Sequence, residues 1–250
     1  MTKDGHYIYA IVATKEEKSF GPNGIGDRND EVYNVSYRKI GAVISTSPIV
    51  KYDITRANTL AHQKVMEGIM KCYPLLPVRF GTIGEEVGRI KEKVLKARYE
   101  ELLGHLRYVE DKIELGLKVL WKSKEVIFQE IVEENRDIRI LRGRLLSQRV
   151  GDHGERMRLG EMVKKALEVK KEREEKAILN NFKGLWVEHK SNKTFGDQMV
   201  TNSAFLVKKD QEKMFDAAMD RLTATYDGRM KFKYVGPVPP CNFVEITVKW

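Results

Sequence analysis

The order of hydrophobic and polar positions predicts a mixture of strands and helices. The stretch 6–14 (HYIYAIVAT) is rich in aromatic and β-branched residues, which is typical of a strand. Similar runs over 32–37 and 39–45 predict two further strands. A glycine-containing loop over 15–30 separates these two runs from the first strand.

A strong helix is predicted over 55–73, because its apolar positions recur at helical spacing. His62 falls on the same face as Val65 and Met66, so the histidine faces the predicted core. Pro74 ends this helix, since proline has no N–H and cannot continue the hydrogen-bond ladder.

The pattern of elements changes near residue 112. Before it, a short buried strand is predicted over 75–80 and a second helix over 85–108. After it, a strand over 113–121 leads into a long and highly charged helical stretch over about 123–180.

The last third of the chain predicts further strands and one helix. Strands are expected over 185–189, 199–207, 230–235 and 243–250, and a helix over 210–226. Strand, helices, strand, strand, helix and strand is the order of the ferredoxin-like arrangement. We therefore predict an α+β fold with an N-terminal α/β domain over 1–112 and a C-terminal ferredoxin-like domain over 113–250. The helical region 123–180 is predicted to be a charged insertion in the second domain.

Composition excludes several classes of protein. Of the 250 residues, 42% are hydrophobic and 32% are charged, so a mainly disordered chain is not expected. Two cysteines are too few for a secreted disulfide scaffold. The longest uncharged run, 40–50, is too short and too polar for a membrane span. We expect a soluble cytoplasmic protein that has no membrane partner.

Of the net charge of +9, +4 lies in one segment. Residues 135–158 hold seven arginines against three acidic residues. The candidates for an acidic-partner patch are Arg136, Arg139, Arg142, Arg144 and Arg149, because arginine binds carboxylates and phosphates with two parallel hydrogen bonds. The alternative is a solvated helix surface with ion pairs. Nucleic acid is less favoured as the partner, since no aromatic residue lies among the arginines.

Sequence motifs of catalysis and metal binding are missing. The chain has no phosphate loop, no dinucleotide fingerprint, no nucleophile elbow and no histidine or cysteine spacing typical of a metal site. The best catalytic pair is His62, as a general base, with Arg79. The alternative is a hydrogen-bonded core histidine, with Arg79 paired to a carboxylate. We predict that the protein is not an enzyme and has no cofactor or metal.

The segment 236–240 (GPVPP) is the most unusual local feature. Three prolines impose a rigid extended path with few backbone donors. Such a segment either fixes how Phe243 and the last strand pack, or forms a surface that another protein recognises.

Four segments resemble a known family when they are taken together and in this order. They are the strand 7–12 with Gly24-Ile25, the stretch 56–67 (RANTLAHQKVME) followed by 76–82 (LPVRFGT), the stretch 114–119 (ELGLKV), and 202–207 (NSAFLV) followed by 234–244 (YVGPVPPCNFV). The family is the gas vesicle protein GvpF/GvpL family. Cys241 departs from its pattern, which usually has an aromatic residue there.

The resemblance implies a non-enzymatic function in making gas vesicles, which are gas-filled protein shells. It implies an α/β N-terminal domain and a ferredoxin-like C-terminal domain. The implied partners are the small hydrophobic major shell protein and other accessory proteins, and the implied location is the gas vesicle. Motif residues that become interaction candidates are Arg56, His62, Arg79, Phe80, Gly81, Asn202, Phe205, Gly236, Pro237, Pro239, Pro240 and Phe243. The alternative function is a nucleic-acid-binding module that uses 135–158.

Overall fold

The computed structural model describes residues 3–26, 28–147 and 153–250. Helices and strands both contribute extensively, which confirms the predicted α+β class. The chain divides into two compact units. Unit 1 is Met1–Glu114 with Gly236–Trp250, and unit 2 is Leu115–Val235.

The strands are β1 (Asp4–Val12), β2 (Ser19–Gly21), β3 (Val32–Tyr37), β4 (Ile40–Pro48), β5 (Leu75–Pro77), β6 (Ile83–Gly84), β7 (Lys112–Trp121), β8 (Glu188–Ser191), β9 (Met199–Lys208) and β10 (Met230–Val238). The helices are α1 (Arg56–Met70), α2 (Val87–Arg89), α3 (Tyr99–Val109), α4 (Lys124–Glu134), α5 (Arg136–Ser147), α6 (His153–Asn180) and α7 (Glu212–Tyr226). A π-helical segment (Ile90–Lys96) follows α2, and a 3-10 turn (Lys209–Gln211) precedes α7.

Unit 1 is built on a six-stranded sheet in the order β2-β3-β4-β1-β5, with β6 also paired to β1. All described pairings in this sheet are antiparallel. The central strand β1 is buried on both faces, because α1 covers one side and the π-helical segment with α3 covers the other. Ile8 and Ile11 lie in the core on the α3 side, while Tyr7 and Tyr9 lie on the α1 side.

The two helical faces of unit 1 follow from the sequence pattern. In α1 the buried residues are His62, Val65, Met66 and Ile69, and the side chain of Thr55 caps the helix at the N–H of Asn58. The predicted second helix is not continuous. A π-helical segment adds one residue to the turn, so that Ala97 N–H bonds to Glu92 O. The apolar residues on either side of it therefore reach the same core.

The C-terminal segment corrects the predicted second domain over 113–250. Residues 236–250 pack in unit 1, where Val244 and Ile246 join the core on the α3 side. The predicted strand over 243–250 is reduced to a single parallel bridge between Ile246 and Val78. The alternation of apolar residues was correct, but it does not specify which core buries them.

Unit 2 contains a four-stranded sheet in the order β10-β7-β9-β8. Along the chain its elements run strand, helices, strand, strand, helix and strand, which is the ferredoxin-like order. The core beside α7 is aromatic. The rings of Phe182 and Phe215 stack with centroids 4.5 Å apart, and Phe205 packs against both.

The charged helical region 123–180 forms three helices, α4, α5 and α6. The sequence predicted a break near 151–154, of which 151 and 152 lie outside the described residues, and α6 begins at His153. A further break at Asn135 was not predicted. Asn135 is extended, and its side-chain amide bonds to Ile131 O at 2.7 Å, which ends α4.

Candidate interaction surfaces

His62 belongs to a hydrogen-bonded network inside unit 1. Its Nδ1 lies 3.1 Å from the Tyr7 hydroxyl, which in turn accepts the N–H of Gly81 at 2.9 Å. The tautomer of the imidazole decides whether the hydroxyl donates to Nδ1 or accepts from it. Only 6% of His62 is exposed, and burial lowers its pKa to about 4. Of the two alternatives for His62, a general base or a hydrogen-bonded core histidine, this geometry favours the core histidine. Its burial argues against a general base.

Tyr9, two residues after Tyr7 in β1, also has a buried hydroxyl with two hydrogen-bond partners. Its hydroxyl lies 2.9 Å from Ser45 Oγ and accepts the N–H of Ile25 at 2.8 Å. Burial raises the pKa of both Tyr7 and Tyr9. The two rings also pack on His62, so the hydroxyls are satisfied within an aromatic core.

The motif residues Arg79, Phe80 and Gly81 form a turn against this network. Phe80 packs edge-on to both Tyr7 and His62. Gly81 has a φ of +80°, a conformation that favours glycine. The Arg79 side chain is exposed, and among the described residues it has no ion pair. The carboxylate partner expected for Arg79 is therefore wrong within that part of the chain.

The start of α1 presents apolar side chains to solvent. We call the set Ile49, Val50, Ile54, Arg56 and Leu60 the α1 surface. Ile54 is 85% exposed and Leu60 is 53% exposed. Arg56, a family-motif residue, is exposed beside them in the first helical turn. Since these side chains have no part in the core, they are available for contact with a partner.

The proline segment directs the chain into the core of unit 1. Gly236 has a φ of +143° and is followed by a cis bond to Pro237. Pro239 and Pro240 are buried, and Pro240 O accepts the N–H groups of Phe243 and Val244 at 3.0 and 2.9 Å. This turn fixes how Val244 packs. Of the two roles considered for 236–240, packing or recognition by another protein, the contacts support packing.

Glu114 holds the same turn from β7. Its carboxylate accepts the backbone N–H of Asn242 at 2.8 Å and the side-chain amide of Asn242 at 2.5 Å. Only 3% of Glu114 is exposed, so these bonds satisfy a buried carboxylate. Sequence reasoning did not identify this pair, because its members are far apart in the chain.

The motif residues in unit 2 are structural. Phe205 is fully buried in the aromatic core. Asn202 donates its side-chain amide to Lys193 O at 3.0 Å, and its own carbonyl accepts the N–H of Asn192 at 2.7 Å. These bonds close the connection between β8 and β9.

The predicted arginine patch lies on one helix as far as the structure describes it. Arg136, Arg139, Arg142 and Arg144 are all exposed on α5, while Arg149 lies outside the described residues. Arg144 has a long ion pair of 3.8 Å with Glu155 of α6.

A buried charged network in unit 2 was missed by sequence reasoning. Lys170 of α6 is only 3% exposed and lies 2.9 Å from Glu130 and 2.6 Å from Glu134 of α4. Arg229 pairs with Glu130 and, at 2.5 Å, with Glu174 of α6. These partners lower the pKa of Glu130 to about 2, chiefly through the hydrogen bonds from Arg229.

The same network reaches the sheet. Trp121 at the end of β7 donates its indole N–H to Glu174 at 2.5 Å. The network therefore fastens α4 and α6 to the sheet of unit 2. No sequence signal distinguishes Lys170 from the exposed lysines around it in α6.

The ranges 3–26, 28–147 and 153–250 have neither a candidate metal site nor a candidate membrane span. In these ranges no group of three histidine, cysteine or acidic side chains could hold a metal ion. No helix in them is long and apolar enough to cross a membrane.

Similarity to known proteins extends over nearly the whole chain. The family model described as gas vesicle synthesis protein GvpL/GvpF matches residues 5–245. Gas vesicle protein F1 of Halobacterium salinarum is 23% identical over 97% of this chain and 93% of its own length. Gas vesicle protein F of a Streptomyces species is 26% identical over 96% of this chain and 99% of its own length.

Solved structures show the same fold. The crystal structure of the gas vesicle protein GvpF from Anabaena sp. PCC7120 matches with a TM-score of 0.83 and 21% identity, over 97% of this chain and 99% of that one. GvpF from Microcystis aeruginosa matches with a TM-score of 0.79 and 20% identity, over the same shares of both chains. With the family model covering residues 5–245, the chain belongs to the gas vesicle synthesis protein GvpL/GvpF family and has a gas vesicle-related role.

Proposed function

We propose that the chain is a gas vesicle accessory protein that binds the hydrophobic major shell protein while vesicles form. The observation that carries this proposal is the family match over residues 5–245, which includes both units. A small, very apolar shell protein needs partners that cover its surface before it joins the wall. The same match favours this function over the nucleic-acid-binding alternative.

The motif residues divide into two groups, and the division suggests where the shell protein binds. Most of them hold the fold, as His62, Phe205 and Pro240 do. Arg56 is instead exposed, beside Ile54 and Leu60. Burying exposed aliphatic surface against an apolar partner is favourable by about 25 cal/mol per Å². The α1 surface is therefore our proposed contact for the shell protein.

In this proposal the protein acts only by binding other proteins, including further accessory proteins. His62, the best catalytic candidate, is buried, and its Nδ1 is hydrogen-bonded to the Tyr7 hydroxyl. We therefore propose a binding function without catalysis, with the protein located at the forming gas vesicle.

The test combines co-purification with a direct binding measurement. The tagged protein is expected to be retained on intact, washed vesicles and to bind the purified major shell protein. The double variant Ile54→Asp and Leu60→Asp is expected to lose at least about tenfold in binding, because charge replaces apolar contact.

Val126→Asp with Met214→Asp is the matched control, since both are exposed apolar residues on helices of unit 2 and the variant also adds two negative charges. It should bind the shell protein as the unmodified protein does. Failure of the unmodified protein to bind, together with intact vesicles after deletion of its gene, would overturn the proposed function. Equal losses in both variants would reject only the α1 surface.

A further inference from the structure

A groove runs along the first half of α6 in unit 2, and the proposed function uses none of its residues. The groove has a volume of about 540 Å³, and Phe128 of α4 forms one wall. Its floor is made by Leu159, Gly160, Val163 and Leu167 of α6. We call this site the α6 groove.

The floor of the α6 groove continues a face of α6 that is buried further along the helix. Leu167 and Ile178 are 6% and 0% exposed, and they lie on one face about three turns apart. Val163 and Gly160 precede Leu167 on the same face, but Val163 is only half-buried and Gly160 is exposed. The face that is covered around Leu167 is therefore left open toward the start of α6 by the described part of the chain.

The spacing of the floor matches a helix as the occupant. Arg156, Gly160, Val163 and Leu167 follow one another at intervals of four, three and four residues, which is the spacing of a seam between packed helices. A Cβ added at Gly160 meets no atom within 4 Å, so the space above it is open. A neighbouring helix can approach closely at such a position, because the distance between helix axes depends on the side chains at the contact.

The cations of the α6 groove favour an acidic occupant. Arg156 and Lys164 both line the groove, and neither has an ion pair among the described residues. Their donors are therefore available for external carboxylates. Two cations beside an apolar floor are complementary to an aliphatic stripe that has carboxylates on its flanks.

The acidic side chains nearby do not cancel this positive charge. Asp197 lines the α6 groove, but it lies 3.9 Å from Lys124 Nζ, which offsets its charge. Glu161 and Glu168 lie on either side of Lys164 along α6, but they do not line the groove. The lining is therefore positive on balance.

We propose that the α6 groove binds an acidic amphipathic helix of a partner protein, which lies beside α4 and α6 as a further helix. The aliphatic side chains of this helix, at intervals of three and four residues, contact Phe128, Val163 and Leu167. Its carboxylates pair with Arg156 and Lys164. The site lies in unit 2 and does not rest on the proposed binding of the shell protein to the α1 surface.

Three other occupants fit the α6 groove less well. A second copy paired through the same face places cations against cations. Nucleic acid needs a row of cations along its phosphates and aromatic rings for its bases, whereas the described lining offers two cations, one carboxylate and the ring of Phe128. A lipid surface takes up an apolar face that projects from a protein, but this floor is recessed beside α4.

The test measures binding of the full chain to three probes at the same ionic strength. The first is a synthetic helix of about 18 residues with leucines on one stripe and glutamates on its flanks. The second is a single-stranded oligothymidine, and the third is a vesicle of phosphatidylserine and phosphatidylcholine. We expect the peptide to bind most tightly, and a peptide of identical composition with scrambled leucine positions to bind at least about tenfold more weakly.

Gly160→Leu fills the α6 groove without weakening α6, because leucine favours a helix more than glycine does. It should lower the affinity for the peptide by at least about tenfold. Gly143→Leu is the matched control, since Gly143 is also an exposed glycine within a helix of unit 2 where an added Cβ meets no atom within 4 Å. It should bind the peptide as the unmodified chain does.

Arg156→Glu with Lys164→Glu should also lower the affinity by at least about tenfold. Lys213→Glu with Arg221→Glu is its control, because both residues are exposed on α7 and the net charge changes equally.

The variant Ile54→Asp with Leu60→Asp should still bind the peptide, which separates the α6 groove from the α1 surface. Absence of peptide binding, equal losses in a variant and its control, or tighter binding of the oligonucleotide or the vesicle would each overturn the proposal. Loss of peptide binding in the Ile54→Asp and Leu60→Asp variant would overturn it as well, by placing the peptide on unit 1.

Discussion

The polar network around His62 in unit 1 is built from neutral groups, whereas the network around Lys170 in unit 2 is built from charged groups. In unit 1 the hydroxyl of Tyr7 joins His62 to the N–H of Gly81, and burial keeps the imidazole uncharged. In unit 2, Lys170 is buried between Glu130 and Glu134. We call these the neutral network and the charged network.

The difference follows from what each network joins. The neutral network lies in the core of unit 1, between a sheet and one helix, where His62, Ser45 and backbone N–H groups satisfy the tyrosine hydroxyls. The charged network fastens two charged helices to the end of β7, and long ionic side chains with flexible stems make these contacts. A neutral network loses a neutral hydrogen bond when a member is removed, while a charged network loses charge-assisted hydrogen bonds, which are stronger.

The largest effect is expected from Lys170→Met, which leaves Glu130 and Glu134 without their buried cation. Both carboxylates are partly exposed, and Glu130 keeps Arg229 while Glu134 keeps Arg173, so the cost is that of the lost charge-assisted hydrogen bonds, about 1.5–3 kcal/mol. Hydrogen–deuterium exchange in α4 and α6 should report a loss of this size in local stability.

Arg173→Met is the matched control, because Arg173 pairs with the same Glu134 but its side chain is 62% exposed. An exposed pair is worth about 0–1 kcal/mol, so exchange in α4 and α6 should change little. A similar response from the two variants would contradict the distinction between buried and exposed members of the charged network.

Acid should weaken the two networks in different ranges of pH. The pKa of His62 falls from 6.5 unfolded to about 4 folded, so the unfolded chain binds more protons between these values. The stability of unit 1 is therefore highest above pH 6.5 and decreases by up to about 3 kcal/mol toward pH 4. The pKa of Glu130 falls from 4.5 to about 2, so its contribution to unit 2 is lost only below pH 4.5.

Hydrogen exchange between pH 7 and 4.5, corrected for intrinsic rates, should thus show α1 and β1 weakening before α4 and α6. His62→Gln keeps a group that can donate to or accept from the Tyr7 hydroxyl but cannot titrate, so it should remove most of the change in unit 1. His6 and His189 also have pKa values lowered by burial, and this variant leaves both of them in place. If His62→Gln retains the full acid response, the neutral network is not its source.

Tyr7→Phe removes the hydroxyl that joins His62 to Gly81. We expect a loss of about 1–3 kcal/mol in unit 1, because Nδ1 of the buried His62 is left without its hydrogen-bond partner. Tyr37→Phe is the control, since the Tyr37 hydroxyl makes no hydrogen bond among the described residues. Equal stability of the two variants would mean that the hydroxyl of Tyr7 contributes nothing beyond its ring.

The hydrophobic pattern was sufficient to predict strands and helices, but it did not predict which unit buries them. The β-branched run of β1 and the helical spacing of α1 predicted both elements, because burial repeats with a fixed period. Val244 and Ile246 also alternate as predicted, but they pack in unit 1 instead of unit 2. Their placement depends on the bonds from Glu114 to Asn242, which join residues 128 positions apart.

The candidate residues show the same limit. The sequence left His62 open between a base and a core residue, and its partner Tyr7 is 55 positions away. The charged network could not be predicted from the sequence, because Lys170 and Glu130 lie among many similar charged residues in the helical region. Burial alone separates them from the rest, and burial depends on how α4 and α6 pack.

Gly81→Ala gives the smallest expected effect and separates the backbone of the neutral network from its hydroxyl. At a φ of +80° an added Cβ meets no atom within 4 Å, so the whole cost is conformational, about 1–2 kcal/mol. Gly68→Ala is the matched substitution at an exposed position of α1, where the added Cβ also meets no atom and should stabilise unit 1 by about 0.5–1 kcal/mol.

Hydrogen exchange in α1 and β1 measures the change in stability in both variants. Opposite signs are required, because the same methyl group is added in open space and only the backbone conformation differs. Equal changes in the two variants would contradict a conformational origin for the cost at Gly81.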